Sequence, residues 1–530
     1  MARLLHELIA EQANRCPDAA ALVHRQTTLD YAALARQVAA AARGLLALGL
    51  NRGERVAIYL PKQVETVAAL FGATLAGGVF VPINPLLKPE QVAYILRDCN
   101  VRILVTSRDR ADSLAPLLPD CPDLHGLILV DVASSPSVQA HYLQVFEWST
   151  LLALDEARPP ARIIDLDMAA ILYTSGSTGK PKGVVLSHGN LLAGASSVAE
   201  YLGNQADDRI LAILPFSFDY GLSQLTTAFL VGARAVLMDY LLPRDVAITV
   251  AREGITGLAA VPPMWVQLAS LKWPAAAVDS LRYFTNSGGA MPRATLAALR
   301  RSLPKTTPYL MYGLTEAFRS TYLPPEEIDR RPDSIGKAIP NAEVLVVRED
   351  GTPCAPGEPG ELVHRGALVA LGYWNDPTRT AERFRPAPGQ PPGLSVPELA
   401  VWSGDTVRAD EEGFLYFIGR KDDMIKTSGY RVSPTEIEEV LYSSGQAAEA
   451  AALGIPHPAL GQAIVAVIKP LREAFNENVL INHCKKHLPN FMAPLQIIPY
   501  PTDLPRNPNG KIDRKRLVEE LRDRFQESDS

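Results

Sequence analysis

Cysteine is scarce and poorly placed for pairing. The chain has five, at positions 16, 99, 121, 354 and 484, an odd number with no C-x-x-C spacing. That argues against a disulfide framework or a zinc ribbon and fits reduced thiols in a cytoplasmic protein. A long basic run is also missing. With 52 Lys and Arg against 58 Asp and Glu the net charge is -6, which gives no electrostatic reason to expect nucleic acid as a partner. Arg3, Glu7 and Glu11 interrupt any signal-peptide core. Long apolar runs are rare too. Thr66 to Leu87 carries no charge and is long enough to span a bilayer, but Gly77, Gly78, Pro82 and Pro85 break it. It reads as a buried helix, a turn and a buried strand, so no membrane anchor is expected. What the chain does have is 47% hydrophobic and 21% charged residues over 530 positions, the make-up of a globular enzyme with more than one core.

Short apolar runs alternate with helical patterns through the first four hundred residues: "RVAIYLP" (55–61), "VRILVTS" (101–107), "GLILVDV" (126–132), "RILAILP" (209–215) and "ARAVLM" (233–238). Between them lie helices such as 31–49, with Gly49 as its stop signal. This alternation predicts α/β layers with largely parallel sheets. Region 341–419 has turn residues between short strands and predicts a small antiparallel or barrel-like subdomain. After it, Ser433 and Glu436 have capping-box spacing before a helical face, opening a smaller α+β unit. The expected division is 1–420 and 421–530, with a charged linker near 420–422.

The strongest local signal is "YTSGSTGKPKG", residues 173–183. Its small hydroxyl residues and glycines let backbone N–H groups approach an anion, and Lys180 and Lys182 add positive charge. Pro181 follows Gly179 and Lys180 where a Walker A loop needs Ser or Thr. By composition alone the stretch reads equally as a flexible surface loop.

Other segments follow in order: "NSGGAMP" (286–292), "MYGLTEA" (311–317), "SGDTVRADEEGFLYFIGRKDDMIKTSGYRV" (403–432) and "LPRNPNGKIDRKRL" (504–517). As lone residues their polar members would read as caps, turns or surface charges. As an ordered set they resemble the AMP-forming adenylating superfamily of acyl-CoA synthetases, peptide-synthetase adenylation domains and luciferases. The wider wording is similar to acyl-CoA ligases associated with the exosortase-A system, whose genomic company includes a small acyl carrier protein and a pyridoxal-phosphate decarboxylase.

The resemblance implies a large N-terminal domain of two α/β sheet subdomains plus a small β-rich one, and a small mobile α+β C-terminal domain. It implies ATP and Mg²⁺, with CoA or a carrier protein's phosphopantetheine as thiol acceptor. Thr174, Ser175, Gly176, Ser177, Thr178, Gly179, Lys180 and Lys182 would cradle the phosphates. Glu316 would ligate the metal and Thr315 would contact the α-phosphate. Tyr312, Gly313, Gly288, Gly289 and Ala290 would receive adenine, with Asp405 and Arg420 on the ribose. Lys511 would be the catalytic lysine, Asp422 the hinge and Gly429 part of the thiol channel. Acetylation of Lys511 would remove its charge and switch the enzyme off.

Two departures concern the acid. In "LPFSFDYG" Phe218 falls where fatty-acyl and aryl ligases place a gating histidine, and Asp219 follows it, as in relatives that bind a substrate amino group. Arg319 and Ser320 stand just beyond Glu316, with Ser287 nearby. A planar guanidinium there could bind a second carboxylate. The expectation is an aspartate- or glutamate-like substrate loaded on a stand-alone carrier protein in trans, in preference to Asp219 and Arg319 pairing with each other. The alternatives are an acyl-CoA synthetase for a fatty, hydroxylated or aryl acid, a catalytically silent adenylate-binding regulator, and, more remotely, a luciferase-like oxidase.

Overall fold

A computed structural model describes residues 2–131, 143–154, 159–174, 181–391, 393–420, 424–427, 430–457, 460–471, 475–488, 490–507 and 510–525. Among these, the strands form sheets of eight, fourteen and five. The expected strands appear as Arg55–Tyr59, Val101–Thr106, Gly126–Leu129, Arg209–Ala212 and Arg234–Leu237. The uncharged stretch resolves into helix Val64–Leu75 and strand Val79–Pro82, both in the core. No described helix is long and apolar enough to cross a membrane.

The eight-stranded sheet has a parallel centre, Arg55–Tyr59 between Val79–Pro82 and Val101–Thr106, and closes on the antiparallel pair Met168–Thr174 and Lys182–Ser187. The fourteen-stranded sheet begins as parallel neighbours Arg209–Ala212, Gly257–Ala260, Tyr283–Asn286 and Thr307–Tyr312. From there it turns antiparallel through Thr321–Leu323 and Ser334–Ala338 into Leu415–Arg420, Leu399–Ala409, Gly360–Gly366 and Ala342–Val347. Region 341–419 is antiparallel, as its turn residues imply. The ladder also makes it continuous with the second α/β sheet. The bridging strands are only three and five residues long and carry little pattern of their own.

The last sheet pairs Ala447–His457 with Gly461–Pro470 and adds Gln496–Pro499 in parallel. Helices Pro434–Ser443 and Glu477–His487 cover it, and Ile437, Leu441, Ile464, Leu480 and Ile497 give it a core of its own. One expectation is corrected here. Ser433 makes no side-chain cap, and its hydroxyl is buried without a partner among the described residues. It is turned inward toward Gly419, and Pro434 at the first helical position has no N–H to satisfy.

This topology gathers the motifs. Phe218 and Asp219 follow strand Arg209–Ala212, Ser287 to Ala290 follow Tyr283–Asn286, Gly313 to Glu316 follow Thr307–Tyr312, and Thr174 ends its own strand. Most are carboxyl ends of parallel strands, where open α/β sheets form their ligand crevice.

Candidate active site

One end of the crevice is built around Glu316, which is 7% exposed. Lys182 Nζ donates to its Oε1 at 2.9 Å, and Tyr373 Oη donates to the same oxygen at 2.6 Å. Lys182 also donates to Tyr373 Oη at 2.6 Å and lies 4.1 Å from the centre of that ring. Burial opposes the charge on Glu316, but the ammonium and the phenol outweigh it and bring the pKa down to about 2. Burial likewise lowers the Lys182 pKa, with Glu316 resisting. Among the described residues no cluster of three or more His, Cys, Asp or Glu could hold a metal. A single ionised carboxylate still fits Mg²⁺, which takes one or two carboxylates and completes its shell with water and substrate phosphates. Thr174 Oγ1 is buried nearby in sequence with no hydrogen-bond partner among the described residues. Ser175 to Lys180 lie outside the described residues, as do Asp422 and Gly429.

In the middle stand Tyr312, Asp405 and Arg420. Tyr312 Oη donates to Asp405 Oδ2, and Arg420 Nε donates to Oδ1 at 2.8 Å. Each carboxylate oxygen keeps a further lone pair for a ribose hydroxyl. Gly288 has φ +82, where a side chain would be strained, and Asn286 Nδ2 donates to the Gly289 carbonyl. Ala290 is exposed beside it. His364, missed in the sequence, lies parallel to the Tyr312 ring at 6.0 Å, buried with neither nitrogen paired among the described residues. Burial lowers its pKa to about 4, so it is neutral at pH 7.

Lys511 reaches the same space from a tight turn, in which its N–H donates to Asn507 Oδ1 and Asn507 N–H donates back to its carbonyl. It remains open to solvent. Desolvation by the surrounding protein and Arg420 lower its pKa, against the pull of Asp405, Asp219 and Glu316. A residue that reads as a surface lysine thus lies within reach of the charges of three carboxylates singled out in the sequence.

At the far end Asp219 opens helix Asp219–Val231 and is 3% exposed. Asp219 and Arg319 pair with each other here, the arrangement that the sequence reading placed second. Arg319 Nη1 lies 3.6 Å from Asp219 Oδ2, and both side chains are nearly inaccessible. Two buried opposite charges this close offset each other. The pairing is loose. Arg319 Nη2 donates to Ser223 Oγ at 3.0 Å, its guanidinium lies 4.4 Å from the Tyr220 ring centre, and its Nε has no hydrogen-bond partner among the described residues. Thr315 Oγ1 reaches Asp219 Oδ1 at only 3.4 Å. Burial raises the Asp219 pKa, with Arg319 and then Lys511 resisting. Phe218 stands edge-on to Tyr220 and close to Gly288. Ser287 and Ser320 are buried, and the Ser320 hydroxyl is unpaired among the described residues.

Beyond Arg319 lies a pocket offering about 10 Å³ to the centre of a water molecule, room for about one water. Tyr220, Ser223, Gln224 and Thr227 line it from the helix, and Tyr283, Thr285 and Met311 from the facing strands. Thr227 Oγ1 is buried and unpaired among the described residues. Asp219, Ser223 and Thr227 recur every fourth residue along the helix, so this stripe was available as a signal.

One backbone feature separates the two ends. Between Glu316 and Arg319, Phe318 has φ +54, a left-handed value unusual for a bulky residue. Its ring is fully buried against helix His188–Leu202, where any Cβ on Gly194 would lie 2.2 Å from the ring. The kink turns Glu316 toward Lys182 and Arg319 toward helix Asp219–Val231.

Residues 9–374 match the family described as AMP-binding enzyme, and residues 436–511 match AMP-binding enzyme C-terminal domain. The chain belongs to the AMP-binding enzyme family. It is 30% identical to the L-proline–[L-prolyl-carrier protein] ligase of Pseudomonas fluorescens over 98% of this chain and 99% of that protein. It is 29% identical to a long-chain-fatty-acid–CoA ligase of Salmonella typhimurium over 98% of this chain and 94% of the other. Among solved structures, O-succinylbenzoate coenzyme A synthetase from Bacillus subtilis in complex with ATP and magnesium ion superposes with a TM-score of 0.81 at 26% identity, covering 96% of this chain and 98% of that one. This AMP-binding enzyme is an ATP-dependent, AMP-forming ligase of the acyl-CoA or aminoacyl-carrier-protein type.

Proposed function

We propose that this ligase activates a small amino acid carrying a second carboxylate, aspartate- or glutamate-like, and passes it to the phosphopantetheine thiol of a stand-alone carrier protein. The observation that carries this reading is the loose, buried Asp219–Arg319 pair beside a pocket with room for about one water. An amino group can insert between Thr315 and Asp219, and a short acidic arm can take up the unused Nε of Arg319. Exosortase-system wording and the prolyl-carrier-protein relative support the carrier acceptor, and free CoA is the other thiol to test.

The mechanism follows from charge. The substrate carboxylate oxygen forms a bond to the α-phosphorus of ATP as the bond to the β-phosphate oxygen breaks and pyrophosphate leaves. Two anions must meet, so positioning and neutralisation matter more than proton transfer. Lys511 would bridge the substrate carboxylate and the α-phosphate. Thr315 orients the α-phosphate, and Lys182 with the 174–180 loop holds the β- and γ-phosphates. Tyr312, Asp405 and Arg420 seat the nucleoside. Glu316 would hold Mg²⁺, which when bound supplies charge neutralisation to the phosphates. In the second half-reaction a thiolate attacks the acyl carbon and AMP leaves. Residues 421–530 then turn about Asp422, withdrawing Lys511 and presenting the segment around Gly429.

A second reading takes support from the same pair. If Asp219 and Arg319 stay mutually neutralised, the pocket suits an uncharged hydroxylated acid and the enzyme is an acyl-CoA synthetase. ATP–pyrophosphate exchange against amino dicarboxylates, other amino acids, hydroxy acids, fatty acids and aryl acids separates the two. Exchange driven by an amino dicarboxylate and abolished in Asp219→Ala is the expected result. Exchange driven by fatty or hydroxy acids and indifferent to Asp219→Ala overturns it.

A further inference from the structure

Three contacts close a triangle at the nucleotide end of the cleft: Lys182 to Glu316, Lys182 to Tyr373, and Tyr373 to Glu316, at 2.9, 2.6 and 2.6 Å. Both donors converge on Oε1. Tyr373 comes from the short strand Gly372–Tyr373, which pairs antiparallel with Val184 and Val185 of the strand that starts at Lys182. Backbone bonds fix it further. Ala370 N–H donates to the Glu316 carbonyl at 2.8 Å, and Trp374 N–H donates to the Gly183 carbonyl at 2.8 Å. The Phe384 ring abuts the phenol edge-on at 5.5 Å. One segment thus grips both the strand that carries Lys182 and the turn that carries Glu316.

An ammonium bonded to Glu316 is not free to serve phosphates. An incoming triphosphate offers it several anionic oxygens, and once it moves, a carboxylate only 7% exposed loses its cation. We propose that Tyr373 is the positioning residue for this exchange. Its hydroxyl holds Lys182 on Glu316 before the nucleotide arrives, and holds Glu316 by Oε1 after the lysine has moved, leaving Oε2 to a hard cation. This rests on the adenylation reading above. Without the hydroxyl the lysine gives up one contact, and the carboxylate it leaves behind is free to swing.

Tyr373→Phe removes one oxygen and keeps the ring. Binding of ATP to the acid-free enzyme, measured by calorimetry with and without Mg²⁺, reads the exchange without turnover. The expected result is that the gain in ATP affinity conferred by Mg²⁺ falls by about tenfold, the scale of a lost hydrogen bond to a charged group. In ATP–pyrophosphate exchange, KM for ATP rises by a similar factor while KM for the acid holds. Phe384→Leu loosens the ring's packing but spares the hydroxyl. It should lower the melting temperature and leave the Mg²⁺ increment unchanged. An unchanged increment in Tyr373→Phe overturns the proposal, as does an equal loss with and without metal accompanied by a lower melting temperature. Failure of the wild type to exchange with every acid counts against the adenylation reading instead, and the binding arm still decides the role of Tyr373.

Discussion

Two carboxylates at opposite ends of one cleft each face a cation, and both are almost wholly buried, yet their acidities move in opposite directions. Glu316 receives two short bonds on one oxygen and its pKa falls to about 2. Asp219 has a guanidinium at 3.6 Å and a hydroxyl at 3.4 Å, and its pKa rises. Burial is common to both, so bond geometry makes the difference. Glu316 is satisfied by the protein alone and has a fixed charge. Asp219 has only long side-chain contacts, and Arg319 Nε has no hydrogen-bond partner among the described residues, which is what the proposed substrate would use.

The sharpest way to break this contrast is Glu316→Gln. Removing a charge that the phosphates and their cation depend on should cut adenylation kcat by about 100-fold or more, while the ranking of acids set at Asp219 survives in residual exchange. Next comes Arg319→Met, which takes from Asp219 its nearest cation and should cost about 3–5 kcal/mol of stability by chemical denaturation. The double variant Asp219→Leu/Arg319→Met should recover most of that loss while exchange with amino dicarboxylates stays absent. If the single variant is as stable as the parent, the pair is not the buried unit described.

The gentlest probe is pH. Glu316 has its pKa lowered from the ordinary 4.5, so its contribution to stability is present above about 4.5 and lost as pH falls toward about 2. Asp219 has its pKa raised, so its ionisation opposes folding increasingly as pH rises through that value. Acidification from neutrality should therefore protonate Asp219 well before Glu316. KM for the amino acid should rise a few-fold while KM for ATP is steady, and Asp219→Asn should flatten that limb.

Much of the fold was legible because its signals are local. Apolar runs such as 55–61 and 209–215 became strands, and Gly49 ends its helix with φ +83. The ordered motifs named residues that the fold brings to one crevice, Glu316, Asp405 and Asp219 among them. Long-range partnerships were less legible. Asp219 and Arg319 are a hundred residues apart, and nothing in either stretch says how near their side chains come. Tyr373 sits in "LGYWND", a segment whose importance lies in what pairs with it. Ser433 shows the reverse failure, a local capping pattern overridden by packing against Gly419. The stripe Asp219, Ser223, Thr227 was legible as period but reads as specificity only once its helix is known to face the pocket.

The left-handed residue at Phe318 also bears on how such an enzyme can change its diet. Glu316 and Arg319 hang from a single bend wedged against Gly194, so remodelling at 318–320 disturbs the reaction centre together with the choice of acid. Helix Asp219–Val231 carries pocket residues on a separate, regular scaffold. On the acid site proposed above, substitutions at Tyr220, Ser223, Gln224 and Thr227 would explore new acids while the chemistry stands still. The molecule thus offers one wall open to experiment and one that resists it, and a library restricted to the open wall should yield far more active variants than an equal library spread over both.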